Sequence, residues 1–169
     1  MRRIAFGLGA NLGDRVGALQ GAVDVIAPNL RDPRVSRVYE TAPVGGPEQP
    51  DYANAVLIGL SDSEPLELLA LAHRAEQLWS RTREIHWGPR TLDVDILDVE
   101  GVLSDDPVIT LPHPRASQRS FVVVPWLEIE PDAVLADSTR LADLTDVVAD
   151  VSHAEIIHPR KDVELVIPR

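Results

Sequence analysis

Hydrophobic and polar residues along the chain repeat with two different periods. Apolar residues recur at helical spacing over residues 14–28 and over residues 63–80, and this pattern predicts two amphipathic helices. Alternation with a period of two, or a high content of β-formers, predicts a second group of segments as strands. These strands are expected at residues 4–8, 34–41, 52–60 and 91–99.

The remaining segments favour a mixed fold. Residues 42–51 hold three prolines and two glycines, so they are predicted to form a loop too long for a tight hairpin. Residues 121–129 form a strongly apolar run, and the tail is expected to add a short helix at residues 141–149 and a last strand at residues 163–167. Because helices and strands alternate without a regular strand–helix–strand repeat, we predict an α+β sandwich rather than a doubly wound sheet.

The composition limits the size of the protein and the partners it can bind. With 169 residues and 44% hydrophobic content, residues 1–169 are expected to form one compact domain with its own core. Twenty-seven acidic residues against sixteen basic ones give a net charge of −11, which disfavours nucleic acid and anionic lipid as partners. The chain has no cysteine and no apolar run of membrane-spanning length, so we expect a cytoplasmic protein that binds small molecules.

Asp93 and Asp95 are the first candidates for chemistry. In a strand, residues two apart point to the same face, so these carboxylates are expected about 6–7 Å apart on one side. Two like charges this close favour a cation, and Mg²⁺ prefers a few carboxylate oxygens together with substrate phosphates. The alternative is an ordinary solvated strand face, which an isolated Asp-x-Asp pair most often is.

A basic segment directly precedes these acids. From Arg74 to Arg90 there are four arginines and two glutamates, and Gly88-Pro89 predicts a loop. Arginine must supply any clamp for phosphate oxygens here, because Lys161 is the only lysine of the chain. Arginines, paired acids and a loop that excludes water are the parts that phosphoryl transfer needs. The alternative is a basic loop paired with neighbouring acids.

Two further groups could contact a heterocycle. His113 lies between prolines and is followed by Arg119 and Phe121, a combination that suits a nucleotide or ring contact as well as a rigid structural turn. Tyr52 could stack on a flat ring and Asn54 could hydrogen-bond to its edge; the alternatives are ordinary core packing and turn formation. No Walker-type phosphate loop is present, and the glycines at residues 7–13 are spaced one residue too far apart for a dinucleotide fingerprint.

Four segments together resemble one family of enzymes. They read GLGANLGDR at residues 7–15, YETAPVGGPEQPDYAN at residues 39–54, WGPRTLDVDIL at residues 87–97 and LPHPRASQRSFVVVPWLEIEP at residues 111–131. In this order they are similar to the 6-hydroxymethyl-7,8-dihydropterin pyrophosphokinases of folate biosynthesis. The resemblance implies a monomer with a ferredoxin-like α+β fold, in which helices cover an antiparallel-rich sheet.

The same resemblance implies a reaction and a set of site residues. The family transfers the diphosphate of ATP to the 6-hydroxymethyl group of the dihydropterin, releases AMP, and uses two Mg²⁺ ions. Matching positions imply Arg81, Arg90, Asp93 and Asp95 for catalysis, with Asp93 and Asp95 also as metal ligands. For the pterin they imply Thr41, Ala42, Val44, Tyr52, Asn54, Trp87 and Phe121. For ATP they imply Glu76, Arg81, Arg83, Trp87, Arg90, Ile96, Thr110, His113 and Arg119.

The chain departs from the family pattern at several positions. Ala10 stands where serine is common, Ala42 where proline is frequent, and Pro114 where an aromatic residue often follows the histidine. The resemblance fades beyond Asp137, so residues 137–169 form a tail to which no role is assigned. Two other hypotheses remain: a non-catalytic nucleotide- or pterin-binding module of the same fold, and a structural domain that binds no ligand.

Overall fold

The computed structural model describes residues 1–41, 51–81, 92–144, 146–147 and 157–169, without the side chains of residues 81, 157 and 158. The strands are β1 (Arg2–Ala10), β2 (Arg31–Val35), β3 (Tyr39–Thr41), β4 (Tyr52–Ser61), β5 (Asp93–Val99) and β6 (Ile157–Pro159). The α-helices are α1 (Arg15–Ile26), α2 (Pro65–Arg81) and α3 (Ser120–Ile129). None of the helices in these described ranges is long and apolar enough to cross a membrane.

The strands form one antiparallel sheet in the order β5-β1-β4-β3-β6, and β2 pairs with the C-terminal half of β4. Helices α1 and α2 cover one face, where Phe6 and Leu57 meet Leu19 and Leu68 in the larger of two cores. Helix α3 covers the other face, where Trp126 packs on a smaller core. The predicted α+β sandwich with a helix-covered antiparallel sheet is confirmed.

Two local signals explain where the helices on the larger core begin. The Asp14 carboxylate accepts a hydrogen bond of 2.9 Å from the Gly17 amide, which caps the first turn of α1. At α2, Glu67 accepts a bond of 2.7 Å from the Glu64 amide, and Pro65 occupies the first helical position, where its missing N–H costs nothing.

The single strand predicted at residues 34–41 is wrong, because the structure divides it into β2 and β3. The division lies at Ser36, whose hydroxyl accepts a bond of 2.9 Å from the Val56 amide and replaces a backbone partner in the ladder. The Ser36 amide donates to the Val56 carbonyl at 2.9 Å, so the chain stays attached to β4 while it changes direction.

The tail also differs from its prediction. Residues 163–167 form no strand; the strand of this region is β6, and residues 163–167 run across α1 instead. There Gln20 bonds Val166 twice, and Leu165 enters the larger core. Of the helix predicted at residues 141–149, the structure describes a 3-10 turn at Leu141–Asp143 and two helical residues at 146–147, and the other positions after 144 lie outside the described residues.

A bulge in β5 carries a buried ion pair at the end of the sheet away from the two acids. Leu97 and Asp98 both face the smaller core, opposite the single residue Ala5 of β1. Asp98 is 0% exposed, and its carboxylate accepts from Arg3 Nη2 at 2.5 Å and from the Ala136 amide at 2.9 Å. Burial raises the pKa of Asp98 although Arg3 and the Ala136 amide oppose this shift.

A second polar cluster ties β3 to α3. The Tyr39 hydroxyl donates to the Glu128 carboxylate, which also accepts from Arg37 Nε at 3.1 Å and from the Arg37 amide at 2.9 Å. Burial, and then the bond to Glu128, raises the pKa of Tyr39 to about 12. Because the folded state retains this proton, the stability that the neutral phenol contributes is present below pH 10.0 and is lost as the pH rises toward about 12.

The chain has two tyrosines, Tyr39 and Tyr52, so replacing Tyr52 leaves Tyr39 as the one phenol whose titration is measured. In a Tyr52→Phe variant, the phenolate absorbance should rise near pH 12 rather than near the ordinary value of 10.0. Adding Glu128→Gln should move the transition to lower pH, since it removes a negative charge that opposes ionisation. A transition near pH 10 in the folded Tyr52→Phe protein would contradict the described burial of Tyr39.

Replacing Asp98 by alanine should lower the free energy of unfolding by about 3 kcal/mol, because the change leaves Arg3 mostly buried without its nearest carboxylate. Denaturant unfolding measures this loss, and the exposed Asp105→Ala is the matched control, with an expected change within about 0.5 kcal/mol. Equal stability of the two variants would show that the Arg3–Asp98 pair does not stabilise the bulge.

Candidate active site

Two glycines form the floor of a candidate site on the sheet face that carries α3. A Cβ built on Gly7 would meet Leu97 Cδ2 at 3.1 Å, so Gly9 is the more open of the two. Gly7 and Gly9 of β1 pair with Asp95 and Asp93 of β5, and Gly9 also pairs with Asn54 of β4. Among the described residues, a Cβ built on Gly9 would meet Asn54 Oδ1 at 3.4 Å and no other atom within 4 Å. The backbone at Gly9 is therefore open to close approach by a flat molecule.

Asp93 and Asp95 border this floor on the β5 side. Asp93 is exposed and the Asp95 side chain is 47% exposed, while Val94 between them is buried in the larger core, as the strand period predicts. Arg119 Nη1 lies 4.0 Å from Asp95 Oδ2. Within the described ranges, no three histidine, aspartate or glutamate side chains gather into a group that could hold a metal ion.

Glu76 fixes the start of β5. Its Oε1 atom accepts a bond of 2.9 Å from the Val94 amide, so this amide points away from β1 toward the outer edge of the sheet. The amide of Ile96, two residues on, must point the same way. Ile96 itself packs its side chain in the larger core on the face opposite the acids, so it can offer a ligand its backbone only.

His113 and Arg119 stand beside the acids on the α3 side of the sheet. The Leu97 carbonyl, at the bulge, accepts the His113 amide at 2.8 Å and so holds this segment against β5. Burial lowers the pKa of His113, with Arg119 and Arg115 adding to the shift and Asp95 opposing it. His113 Nδ1 accepts from the Arg115 amide at 3.2 Å, so in the neutral ring Nε2 carries the proton.

Phe121 completes this side, and Thr110 precedes His113 by three residues in the same segment. The Thr110 hydroxyl donates to the Asp106 carbonyl at 3.1 Å, so it is already engaged within its own turn. The Arg119 guanidinium lies 5.5 Å from the centre of the Phe121 ring, a cation–π contact that orients both side chains at the start of α3. Arg119 therefore lies between an aromatic ring and a carboxylate.

Thr41, Tyr52 and Asn54 border the floor on its other side. Asn54 Nδ2 donates to Thr41 Oγ1 at 3.1 Å, and both residues are 6% exposed. Tyr52 precedes Asn54 by two residues in β4 and so extends from the same face, where it is 37% exposed. Within the described residues the Asn54 side chain has this one hydrogen bond, to Thr41, so the amide could also bond to the edge of a heterocycle over Gly9.

Several predicted site residues lie outside the described residues. Arg81 ends α2 and is described by its backbone alone, and the remaining positions of this kind are Ala42, Val44, Arg83, Trp87 and Arg90. The arginine clamp inferred from this segment therefore stays a prediction. The described residues bring together the other predicted positions: Thr41, Tyr52, Asn54, Asp93, Asp95, His113, Arg119 and Phe121 around the floor, with Glu76, Ile96 and Thr110 behind or beside them.

Sequence reasoning missed the role of Gly7 and Gly9. Their spacing does not fit a dinucleotide fingerprint, and both glycines lie within strand β1. The available signal was a Gly-x-Gly inside an apolar strand, because glycine in a strand interior often marks the close approach of a ligand. The pairing of these glycines with Asp95 and Asp93 could not be read from the sequence.

Comparison with known proteins identifies relatives of this chain. The family model described as 7,8-dihydro-6-hydroxymethylpterin-pyrophosphokinase (HPPK) matches residues 5–131. A 2-amino-4-hydroxy-6-hydroxymethyldihydropteridine pyrophosphokinase of Methylorubrum extorquens is 38% identical over 141 residues, which cover 82% of this chain and 89% of that protein. The protein of the same name from Bacillus subtilis is 39% identical over 147 residues, covering 83% of this chain and 88% of that protein.

Other relatives are longer than this chain. The bifunctional protein FolKE of Lactococcus lactis is 34% identical over 157 residues, and the chain spans only 44% of its length. A crystal structure of HPPK-DHPS from Plasmodium falciparum with pterin and p-hydroxybenzoate matches with a TM-score of 0.67 at 12% identity, covering 98% of this chain and 45% of that one. At this identity the structural match supports the fold alone.

Proposed function

This chain belongs to the HPPK family, the pyrophosphokinases of folate biosynthesis, and we propose that the face of β1, β4 and β5 carries its reaction. The diphosphate of ATP passes to the 6-hydroxymethyl oxygen of the dihydropterin, and AMP leaves. The supporting observation is the glycine floor, which has hydrogen-bonding side chains on one side and paired carboxylates on the other. A flat substrate can therefore lie with one edge against the hydrogen-bonding side chains and its reacting group toward the carboxylates.

The dimensions of the floor suit a bicyclic ring. Asn54 and Asp93 stand on strands separated by β1, and at ordinary strand spacing this separation is about 10 Å. A pterin whose ring edge bonds Asn54 and Thr41 would lie over Gly9 and direct its hydroxymethyl arm toward β5. Tyr52 and Phe121 would supply the aromatic contacts to the ring faces. The predicted contributions of Ala42, Val44 and Trp87 belong to the same proposal.

ATP would bind along the open edge of β5. The outward amide and carbonyl of Ile96 suit the hydrogen-bonding edge of a purine. Neutral His113, with its proton on Nε2, would donate to an oxygen of the nucleotide, and Arg119 would face the phosphates beside Asp95. Glu76 would act through Val94 by holding β5 in place, while Thr110, Arg81, Arg83 and Arg90 complete the proposed ATP site.

Magnesium fits the donor set of Asp93 and Asp95. Two exposed or half-exposed carboxylates provide hard oxygen ligands, and Mg²⁺ in nucleotide sites takes one or two carboxylates together with phosphate oxygens. When bound, the proposed two ions would offset phosphate charge and orient the β-phosphorus for attack. Because phosphate oxygens would complete the coordination of Mg²⁺, two acids suffice without a third protein ligand among the described residues.

The chain itself contributes position and charge. The hydroxymethyl oxygen attacks the β-phosphorus, and the bond from that phosphorus to the α–β bridging oxygen breaks as AMP departs. Asn54 and the floor hold the nucleophile in line, which can supply a large part of the acceleration. Arg119 meets negative charge on the phosphates, and the predicted Arg81 and Arg90 would do the same. No general base is assigned.

We also propose that residues 1–169 act as one domain and as a monomer in the cytoplasm. The monomer follows from the family resemblance, and the single domain and the cytoplasmic location follow from length and composition. Light scattering after size-exclusion chromatography measures the oligomeric state directly.

The activity is tested by mixing the protein with Mg²⁺, ATP and 6-hydroxymethyl-7,8-dihydropterin and measuring AMP. Asp95→Asn should lower kcat/KM by about 100-fold or more, because it removes a charged ligand from the metal site. The control Asp105→Asn, at an exposed position, changes the net charge of the protein by the same amount as Asp95→Asn and should keep full activity. Binding of both ligands without AMP would favour the non-catalytic module, and no binding at all would favour a structural domain.

Gly9→Ala tests the floor. Among the described residues the new methyl group makes one ordinary contact, with Asn54, so the fold should tolerate it, but it would raise the floor under the ring. We expect kcat/KM for the pterin to fall by about 10- to 100-fold while the KM for ATP and the melting temperature stay near wild type. Gly101→Ala is the opposite control: at a φ of +72° it should lower stability without changing pterin kinetics. Unchanged pterin kinetics in Gly9→Ala would show that the ring does not bind over this floor.

A further inference from the structure

The C-terminal segment 157–169, which lies beyond the family match at residues 5–131, is joined to the pterin side of the proposed site. Its strand β6 pairs with the outer edge of β3, with Ile157 opposite Thr41 and His158 opposite Glu40. The strand β3 has three residues, and β4 pairs with its other edge. The short strand that carries Thr41 is therefore held on both sides only when the segment is docked.

Arg160 connects this segment to Glu40 of β3 and to Val38, just before that strand. Its guanidinium donates to Asp162 through Nε at 3.0 Å and through Nη2, and its Nη1 atom lies 3.3 Å from Glu40 Oε1. The Arg160 amide donates to the Val38 carbonyl at 2.8 Å. Glu40 directly precedes Thr41 and is also paired with Arg15 Nη2 at 3.1 Å. Because Glu40 is mostly buried and meets two guanidinium groups, the position of β3 depends on charges brought from two distant parts of the chain.

Arg15 extends the connection to β4. Its Nη1 atom donates to the carbonyl of Asp51, the residue directly before Tyr52 at the start of β4. A single ionic cluster of Arg15, Glu40 and Arg160 thus holds the ends of two neighbouring strands, β3 at Glu40 and β4 at Asp51. The Thr41–Asn54 hydrogen bond spans these same two strands.

The segment is anchored independently of Arg160. Leu165 is buried in the larger core, and the Gln20 side chain makes two bonds with the backbone of Val166, at 2.7 Å and 2.9 Å. These contacts fix the segment to α1, whose first residue is Arg15. Removing the Arg160 side chain should therefore alter the cluster without releasing the tail.

We propose that Arg160 is a positioning residue for the pterin: it acts through Glu40 to hold Thr41 and Asn54 in the geometry that reads the ring edge. This proposal rests on the proposed function of the site. Arg160 follows β6, which pairs with the edge of β3 opposite β4, so in this proposal it would contact neither substrate. Its effect should fall on pterin binding and not on the nucleotide, because Ile96, His113 and Arg119 belong to β5 and the α3 side.

The test compares Arg160→Gln with wild type in steady-state kinetics and in direct titration with the dihydropterin. We expect the KM and the dissociation constant for the pterin to rise by about 3- to 30-fold, with the KM for ATP and kcat within about twofold. Arg160→Lys should recover most of the pterin affinity, because an ammonium can still pair with Glu40. Gln20→Ala, which loosens the tail at Val166, should shift pterin affinity in the same direction.

Two controls separate this proposal from its premise. Arg140→Gln removes an exposed arginine paired with Asp143 and should change nothing. Asn54→Ala removes a proposed contact to the ring and should weaken pterin binding strongly. If Asn54→Ala weakens binding and Arg160→Gln does not, or if Arg160→Gln lowers stability and all kinetic constants together, the positioning role is wrong. If wild-type protein neither binds pterin nor forms AMP, the proposed function falls, and the positioning role falls with it.

Discussion

The antiparallel register between β1 and β5 is the constraint on which the proposed site depends. It sets Gly7 against Asp95 and Gly9 against Asp93. Opposite the two acids, β1 therefore has no side chains on the same face of the sheet. Paired residues of antiparallel strands extend to the same side of the sheet, and a shift by one residue would turn the acids into the larger core. The buried side chains of Val94 and Ile96 oppose such a shift, because they already fill that core.

The glycine floor lowers the packing available at this end of the sheet, and polar clusters strengthen the structure around it. The Arg3–Asp98 pair holds the bulge of β5, Tyr39 and Glu128 join β3 to α3, and the cluster at Glu40 joins β3 to α1 and the tail. Each cluster is partly or fully buried, so each opposes local opening more strongly than a surface pair would. The site is therefore open at its floor and fixed at its borders.

Local patterns predicted the elements whose residues show one clear period. Helices α1 and α2 and strands β1, β4 and β5 lie where the spacing of apolar residues and the content of β-formers indicated them, within a few residues at each end. Failures occurred where a side chain or a distant segment replaced a regular backbone partner. Ser36 divides β2 from β3 by bonding Val56, and Gln20 engages Val166 where the alternation favoured a strand. The apolar run that forms α3 has three successive valines, so its period alone could not distinguish helix from strand.

The sequence by itself determined the α+β class, the common face of Asp93 and Asp95 and, through its motifs, the resemblance to a family. These features are local, because they follow from the period of a strand or from residues adjacent in the chain. Only the tertiary structure decided that two glycines lie opposite the acids, that Ile96 turns its side chain away from them, and that Arg160 reaches Glu40. Strand register and ion pairs between distant residues arise when the chain closes on itself, and no local pattern encodes which partners then meet.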